Sequence, residues 1–210
     1  MMADSRLFLF LTAAVLLAIA PGPGMLYVLA RSLAGGRREG VLSSLGTFAG
    51  GMVHVLAAAA GVSVVLARSA VAFATVKYAG AAYLCFLGVR MILAVRRDRE
   101  ELPAEAFSRT RNPFWQGIAT EVLNPKTALF FLSFIPQFVN REIGHVFWQF
   151  VMLGAISVTL NTSADLVVTW FAGPLGSRIR SSVRFRKTQQ TATGTIMIGL
   201  GTYLAVSRAE

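Results

Sequence analysis

Six stretches of this chain are long enough to cross a bilayer and almost free of charge. Leu7–Ala30 and Val41–Ala67 hold no Asp, Glu, Lys or Arg. Ser69–Val89 holds only Lys77, Phe114–Phe138 only Glu121 and Lys126, Phe147–Gly173 only Asp165, and Thr188–Ser207 none. A spanning helix needs roughly 20 mostly apolar residues. The pattern therefore predicts an all-α polytopic membrane protein with six transmembrane helices. Little sequence is left over, so residues 1–210 read as a single membrane transporter domain. A hydrophobic share of 55% and a mean hydropathy of +0.60 agree, since soluble domains seldom reach these values.

Two of the six stretches are interrupted. In the fourth, Asn124-Pro125-Lys126 is a polar break in an apolar run, with Glu121 one turn earlier. Asparagine is a preferred helix N-cap and proline suits the first helical position. The break thus predicts one helix ending and another starting at mid-depth. In the first stretch, Pro21-Gly22-Pro23-Gly24 removes two backbone donors and supplies two permissive residues. Freed backbone groups in lipid need internal partners or a wet cavity. A pair of broken helices in corresponding positions points to a transporter's binding site.

The net charge of +10 invites a nucleic-acid reading, but the distribution of charge argues for topology instead. Thirteen basic residues fall in the connections after spans 1, 3 and 5, and four (Arg6, Arg68, Arg141 and Arg208) on the opposite side. Basic loops mark the cytoplasmic face, so both termini are expected to be periplasmic. The lone Cys85 permits no intrachain disulfide and reads as packing. Arg6, the run Leu7–Leu17 and Ala18-Ile19-Ala20 mimic a signal peptide, but Asp4 offsets Arg6 and the apolar run continues past Pro21 to Ala30. The stretch is read as the first span.

The chain divides at Arg96–Asn112, a mixed-charge segment with Pro103 read as a cytoplasmic linker (residues 96–112). Three spans lie on each side: repeat 1 at about residues 1–100 and repeat 2 at about 113–210. An odd number of spans inverts orientation, so the expected architecture is two inverted three-helix repeats with broken helices 1 and 4.

The remaining polar groups fall in one slab of the membrane. Span 2 carries Gly46, Gly50 and His54 at spacings of four, a small-residue packing face with a histidine continuing it. His54 reads equally as a proton relay or as a hydrogen-bonded interior group. Span 5 carries Ser157, Asn161, Asp165 and Thr169 at the same spacing, hence on one helical face. Lys77, near the outer end of span 3, reads as snorkelling to the interface. Span 6, with Gly194, Gly199 and Gly201, reads as a packing surface or a homodimer interface.

These residues suit a zwitterion and a proton. Half-helix N-termini after Gly22 and at Asn124 could hold a carboxylate. Lys126 could add charge there, or pair with Glu121 or Asp165. A substrate ammonium would seek Glu121 or Asp165, and a buried carboxylate suits a proton carrier. The candidate substrate-binding residues are Pro21, Gly22, Pro23, Gly24, Glu121, Asn124, Pro125, Lys126 and Asn161. The candidate proton-coupling residues are Asp165, Glu121 and His54. No cofactor or metal is expected, and the histidines number two.

Pro21-Gly22-Pro23-Gly24 followed by Gly46 and Gly50 resembles the LysE/RhtB family of amino-acid exporters. Lys77-Tyr78-Ala79-Gly80-Ala81-Ala82-Tyr83-Leu84 with Gly88 resembles that family's third span, and Gly117, Asn124-Pro125-Lys126, Phe130-Phe131 and Pro136-Gln137-Phe138 its fourth. Spans 5 and 6 carry no such signature, so Asp165 and His54 rest on the residues alone. The resemblance implies proton-driven export of amino acids or close derivatives across a bacterial inner membrane. Neutral amino acids are favoured, because Lys126 can neutralise one carboxylate. The alternatives are a channel, an exporter of another small metabolite, and an intramembrane enzyme built on His54 with Ser157 or Asp165, for which no motif speaks.

Overall fold

The computed structural model describes residues 4–68, 70–96, 112–140, 142–181 and 183–206. These residues are helical apart from short breaks and turns, and no strand occurs among them. The linker 96–112 falls almost wholly outside the described residues. Helix α1 is Asp4–Ile19, α2 Pro23–Arg68, α3 Ala70–Arg96, α4 Pro113–Val122 and α5 Pro125–Leu129. A π-helical turn, Phe130–Phe134, and a 3-10 turn, Ile135–Phe138, continue α5. Helices α6, Val146–Ser181, and α7, Val183–Val206, complete the chain.

Helix α2 is not one rod. Gly36 inside it has φ 74° and ψ −171°, a backbone conformation that side chains with a Cβ rarely tolerate. Residues eight apart on a continuous helix are about 12 Å apart. Here Arg31 Nη1 lies 3.2 Å from Glu39 Oε2, and Ser32 Oγ stands where a Cβ on Gly40 would be. The chain therefore turns back at Gly36. The parts of α2 before and after Gly36 thus lie against each other.

Both expected helix breaks are present. Between α1 and α2, Ala20, Pro21 and Gly22 leave helical geometry, and Pro23 opens α2. Gly24 is helical, so the first break is shorter than the four-residue motif. In the fourth stretch, α4 and the segment Pro125–Phe138 meet at an angle of 48°. Asn124 caps α5, its Oδ1 accepting from Lys126 N at 3.1 Å, with Pro125 in the first turn.

The packing follows from small residues. A Cβ on Gly50 would lie 2.8 Å from Ile118 O and 2.8 Å from Glu121 Cβ, and a Cβ on Gly46 would lie 3.0 Å from Gly117 Cα. The glycine face of α2 thus lets α4 approach closely, as small-xxx-small spacing does in membranes. Gly88, Gly194 and Gly201 do the same between α3 and α7, where Cys85 packs as read. A core of Phe10, Phe130, Phe134, Phe138, Val55 and Phe150 fills the centre.

The outer surface is apolar. Phe8, Val71 and Leu123 are more than 70% exposed. Val146–Ala172 is long and apolar enough to cross a bilayer, the bent pair Pro113–Val122 with Pro125–Phe138 makes a second, and within Pro23–Gly61 the charge-free residues 41–61, after the turn at Gly36, make a third. Shorter apolar helices run over Arg6–Ile19 and Thr191–Val206. On α6, Trp148 and Trp170 are both largely exposed. They are separated by 22 positions, or about 33 Å at 1.5 Å per residue, close to the hydrocarbon thickness that aromatic belts bracket.

Candidate functional site

The two helix breaks meet. Lys126, one residue into α5, is buried and donates from Nζ to Ala20 O at 2.7 Å and to Leu17 O at 3.1 Å. These carbonyls belong to the last turn of α1 and its exit. A cation at a helix C-terminus is favoured by the dipole and satisfies carbonyls that the helix cannot. A Cβ on Gly22 would lie 3.0 Å from Lys126 Nζ, so glycine there makes room for the lysine. Of the two roles open to Lys126, added charge at the break or pairing with Glu121 or Asp165, the pairing is not made among the described residues, its ammonium being engaged by α1.

Glu121 completes the other half of this exchange. It is buried in the last turn of α4. Its Oε2 accepts from Asn124 Nδ2 at 3.1 Å and its Oε1 from Thr127 Oγ1 at 2.6 Å. Oε2 also stands against Gly24, where a Cβ would collide with it. The carboxylate therefore lies beside the first turns of both α2 and α5, the positions expected for a substrate carboxylate. The N-terminal end of a helix dipole favours negative charge.

Asp165, on α6, is fully buried. Its Oδ2 lies 3.0 Å from Thr47 Oγ1, while Oδ1 has no hydrogen-bond partner. One turn further, Thr169 meets Ser32 Oγ at 3.2 Å. His54 directs Nε2 to Glu121 O at 2.9 Å and stacks on Phe131. A carbonyl only accepts, so His54 donates and closes the C-terminal end of α4. Ser157 Oγ donates to Leu153 O. The arrangement of His54 with Ser157 or Asp165 that an enzyme would need is not assembled. No group of three metal-ligating side chains occurs among the described residues.

A small cavity sits between these groups. It is lined by Glu121, Lys126, Thr127, Thr47, Ser157 and Asn161, with apolar walls from α1 and from Phe130 and Phe131. Its roughly 20 Å³ suffices for a water and is far too small for an amino acid. Asn161 lines it with no hydrogen bond to its amide from the described residues. Of the candidate residues, Glu121, Lys126 and Asn161 line the cavity. Asn124, Gly22 and Gly24 stand directly behind Glu121 or Lys126, Pro21 and Pro23 flank Gly22 in the chain, and Pro125 opens α5. Asp165 and His54 lie beside the cavity, through Thr47 and Glu121.

Comparison with known proteins decides the family. The LysE type translocator profile matches residues 15–208. The chain belongs to that family. Similar to this translocator is an uncharacterized membrane protein, YrhP, of Bacillus subtilis, 30% identical over 93% of this chain and 96% of the relative. An uncharacterized membrane protein of Vibrio cholerae is 30% identical over 95% of this chain and 96% of its own. One from Pseudomonas aeruginosa is 31% identical over 94% of each chain. No solved structure matches the translocator.

Two buried groups outside the expected set tie the translocator together, and a third, Lys77, is buried as well. Arg31 is 3% exposed and donates to Glu39 and to Gln116 Oε1. Tyr27 Oη donates to Pro113 O at 2.6 Å. Lys77 is 2% exposed, which corrects the reading that it snorkels to the interface. The opposite charges of Arg31 and Glu39 across Gly35-Gly36 are the signal that could have found the first.

Proposed function

We propose that this translocator is a secondary active transporter that exports amino acids or close derivatives, neutral ones favoured, driven by the proton gradient. It works in a bacterial inner membrane with six spans and both termini periplasmic. The observation that carries the reading is the junction of the two breaks. The lysine of one break caps the helix that ends at the other, and the glutamate before the second break lies against the helix that follows the first. Discontinuous helices meeting at mid-depth are where secondary transporters bind substrate.

The packing supports two inverted three-helix repeats. Exchange of spans 1 and 4, 2 and 5, and 3 and 6 turns the contact of α1 with α6 into that of α4 with α2. The contact of α2 with α6 and that of α3 with α7 each map onto themselves. In this reading the small cavity is the contracted form of the substrate site. Pro21, Gly22, Pro23, Gly24, Asn124 and Pro125 shape it. Glu121, Lys126 and Asn161 meet the substrate, and Asp165, Glu121 and His54 are the groups available for proton coupling.

The test is uptake of labelled amino acids into inverted membrane vesicles, with and without a proton gradient. Gradient-dependent accumulation of one chemical class is expected. Flux that persists after the gradient collapses and does not concentrate its substrate would favour a channel.

A further inference from the structure

Glu121 and Asp165 are both buried carboxyl groups, but their hydrogen bonds differ in kind. Both oxygens of Glu121 receive hydrogen bonds, from an amide N–H of Asn124 and from the hydroxyl of Thr127. Each oxygen of Glu121 thus has a partner able to donate to it. Asp165 has one hydrogen-bond partner among the described residues. Thr47 Oγ1 lies 3.0 Å from Asp165 Oδ2 and 2.9 Å from Ser44 O. A hydroxyl has a single hydrogen and a carbonyl can only accept. If Thr47 donates to Asp165, its contact with Ser44 O places two lone pairs together. If it donates to Ser44 O, the contact with Asp165 is satisfied when the acid carries the hydrogen.

We propose that Asp165 is the proton-binding site of the translocator, the proton sitting on Oδ2 and donated to Thr47 Oγ1, which donates in turn to Ser44 O. Asp165 Oδ1 is then the carbonyl oxygen of the acid. It is fully buried without a hydrogen bond, a condition far less costly for a neutral acid than for a charge. The charged groups acting on Asp165 are Glu121 from α4 and Lys126 from α5. Both are already engaged, Lys126 by the carbonyls of α1. Arg31, on the first part of α2, is held by Glu39 and Gln116, and His54, on the second part, by Glu121 O. Helix α1 offers no titratable side chain between Leu7 and Ile19. The assignment deepens the proton-coupling part of the reading above and separates two roles. Glu121 builds the junction of the breaks, and Asp165 binds the proton.

Infrared difference spectroscopy of the purified protein in lipid tests this without any substrate. The carbonyl stretch of a protonated carboxylic acid is expected at neutral pH in the wild type and in Glu121→Gln, and is lost in Asp165→Asn. Each variant is read on protein whose helical circular dichroism is intact. Thr47→Val is a second probe, expected to shift the frequency of the band by removing the hydroxyl bonded to the acid. No band in the wild type, a band that survives Asp165→Asn, or one unmoved by Thr47→Val would each overturn the assignment. A translocator that moves no amino acid in vesicles would defeat the export reading and leave this result standing.

Discussion

Lys126 Nζ and Ala20 O are 2.7 Å apart, although 106 residues separate them in sequence. The bond joins the two helix breaks, one in each half of the chain. It makes the end of α1 depend on a side chain from α5. The reciprocal contact, Glu121 against Gly24, makes the start of α2 depend on α4. Neither break can move without disturbing the other, which is the coupling an alternating-access carrier needs.

Lys126→Met keeps length and bulk and removes the donors. Two buried carbonyls, Leu17 O and Ala20 O, then lose their partner, at about 1–3 kcal/mol for each unsatisfied group. Thermal unfolding in detergent is expected several degrees below wild type, with transport lost. An unchanged transition would mean that water caps α1 equally well.

Asn124-Pro125 replaced by Ala-Leu should let α4 and α5 join into one helix. The Asn124 cap contributes roughly 0.5–2 kcal/mol to α5, and its Nδ2 also holds Glu121 Oε2. Insertion is expected to survive, because the span stays apolar, and transport to stop. Normal transport in this variant would remove the discontinuous helix from the mechanism.

The break in the fourth span was legible because Asn124-Pro125 carries its own capping chemistry, which acts within two residues. The partners of Lys126 were not legible. A sequence places a residue at a depth and on a helical face, but does not tell which neighbouring helix that face meets. For this reason the sequence leaves open whether Lys126 pairs with Glu121 or Asp165 or adds charge at the helix break, and does not reveal that its ammonium, which shares the cavity with Glu121, bonds the carbonyls of α1. Lys77 failed in the same way: a position near the outer end suggested the interface, while the packing of α3 encloses it. Gly46 and Gly50 succeeded because four-residue spacing of small side chains specifies close approach whatever the partner.

Arg31 offers a sharper test of the turn at Gly36. Its guanidinium reaches Glu39 across the turn through Nη1 and Gln116 on α4 through Nη2, two nitrogens held apart by the arginine fork where lysine offers a single one. Arg31→Lys is expected to cost stability almost as fully as Arg31→Met, by roughly 1–3 kcal/mol as donors to Gln116 and Glu39 are lost. Rescue of thermal stability by lysine would show that charge alone holds the turn.

Two glycines on α2 separate conformational from steric demand. At Gly36 a Cβ would meet nothing within 4 Å, so the cost of Gly36→Ala comes from its backbone conformation alone, about 1–3 kcal/mol for a side chain held in this essentially glycine-only region. At Gly50 the added Cβ would fall 2.8 Å from Ile118 O and from Glu121 Cβ, both close to the α4 backbone. Gly50→Ala must therefore push α4 away from α2 and carry Glu121 with it, off the starts of α2 and α5. Gly36→Ala is expected to lower thermal stability modestly and keep transport, whereas Gly50→Ala lowers transport more than its loss of stability accounts for. Parallel thermal unfolding and vesicle uptake on the two variants check this. Equal transport in both at equal stability would mean that the position of Glu121 is not critical to the substrate site.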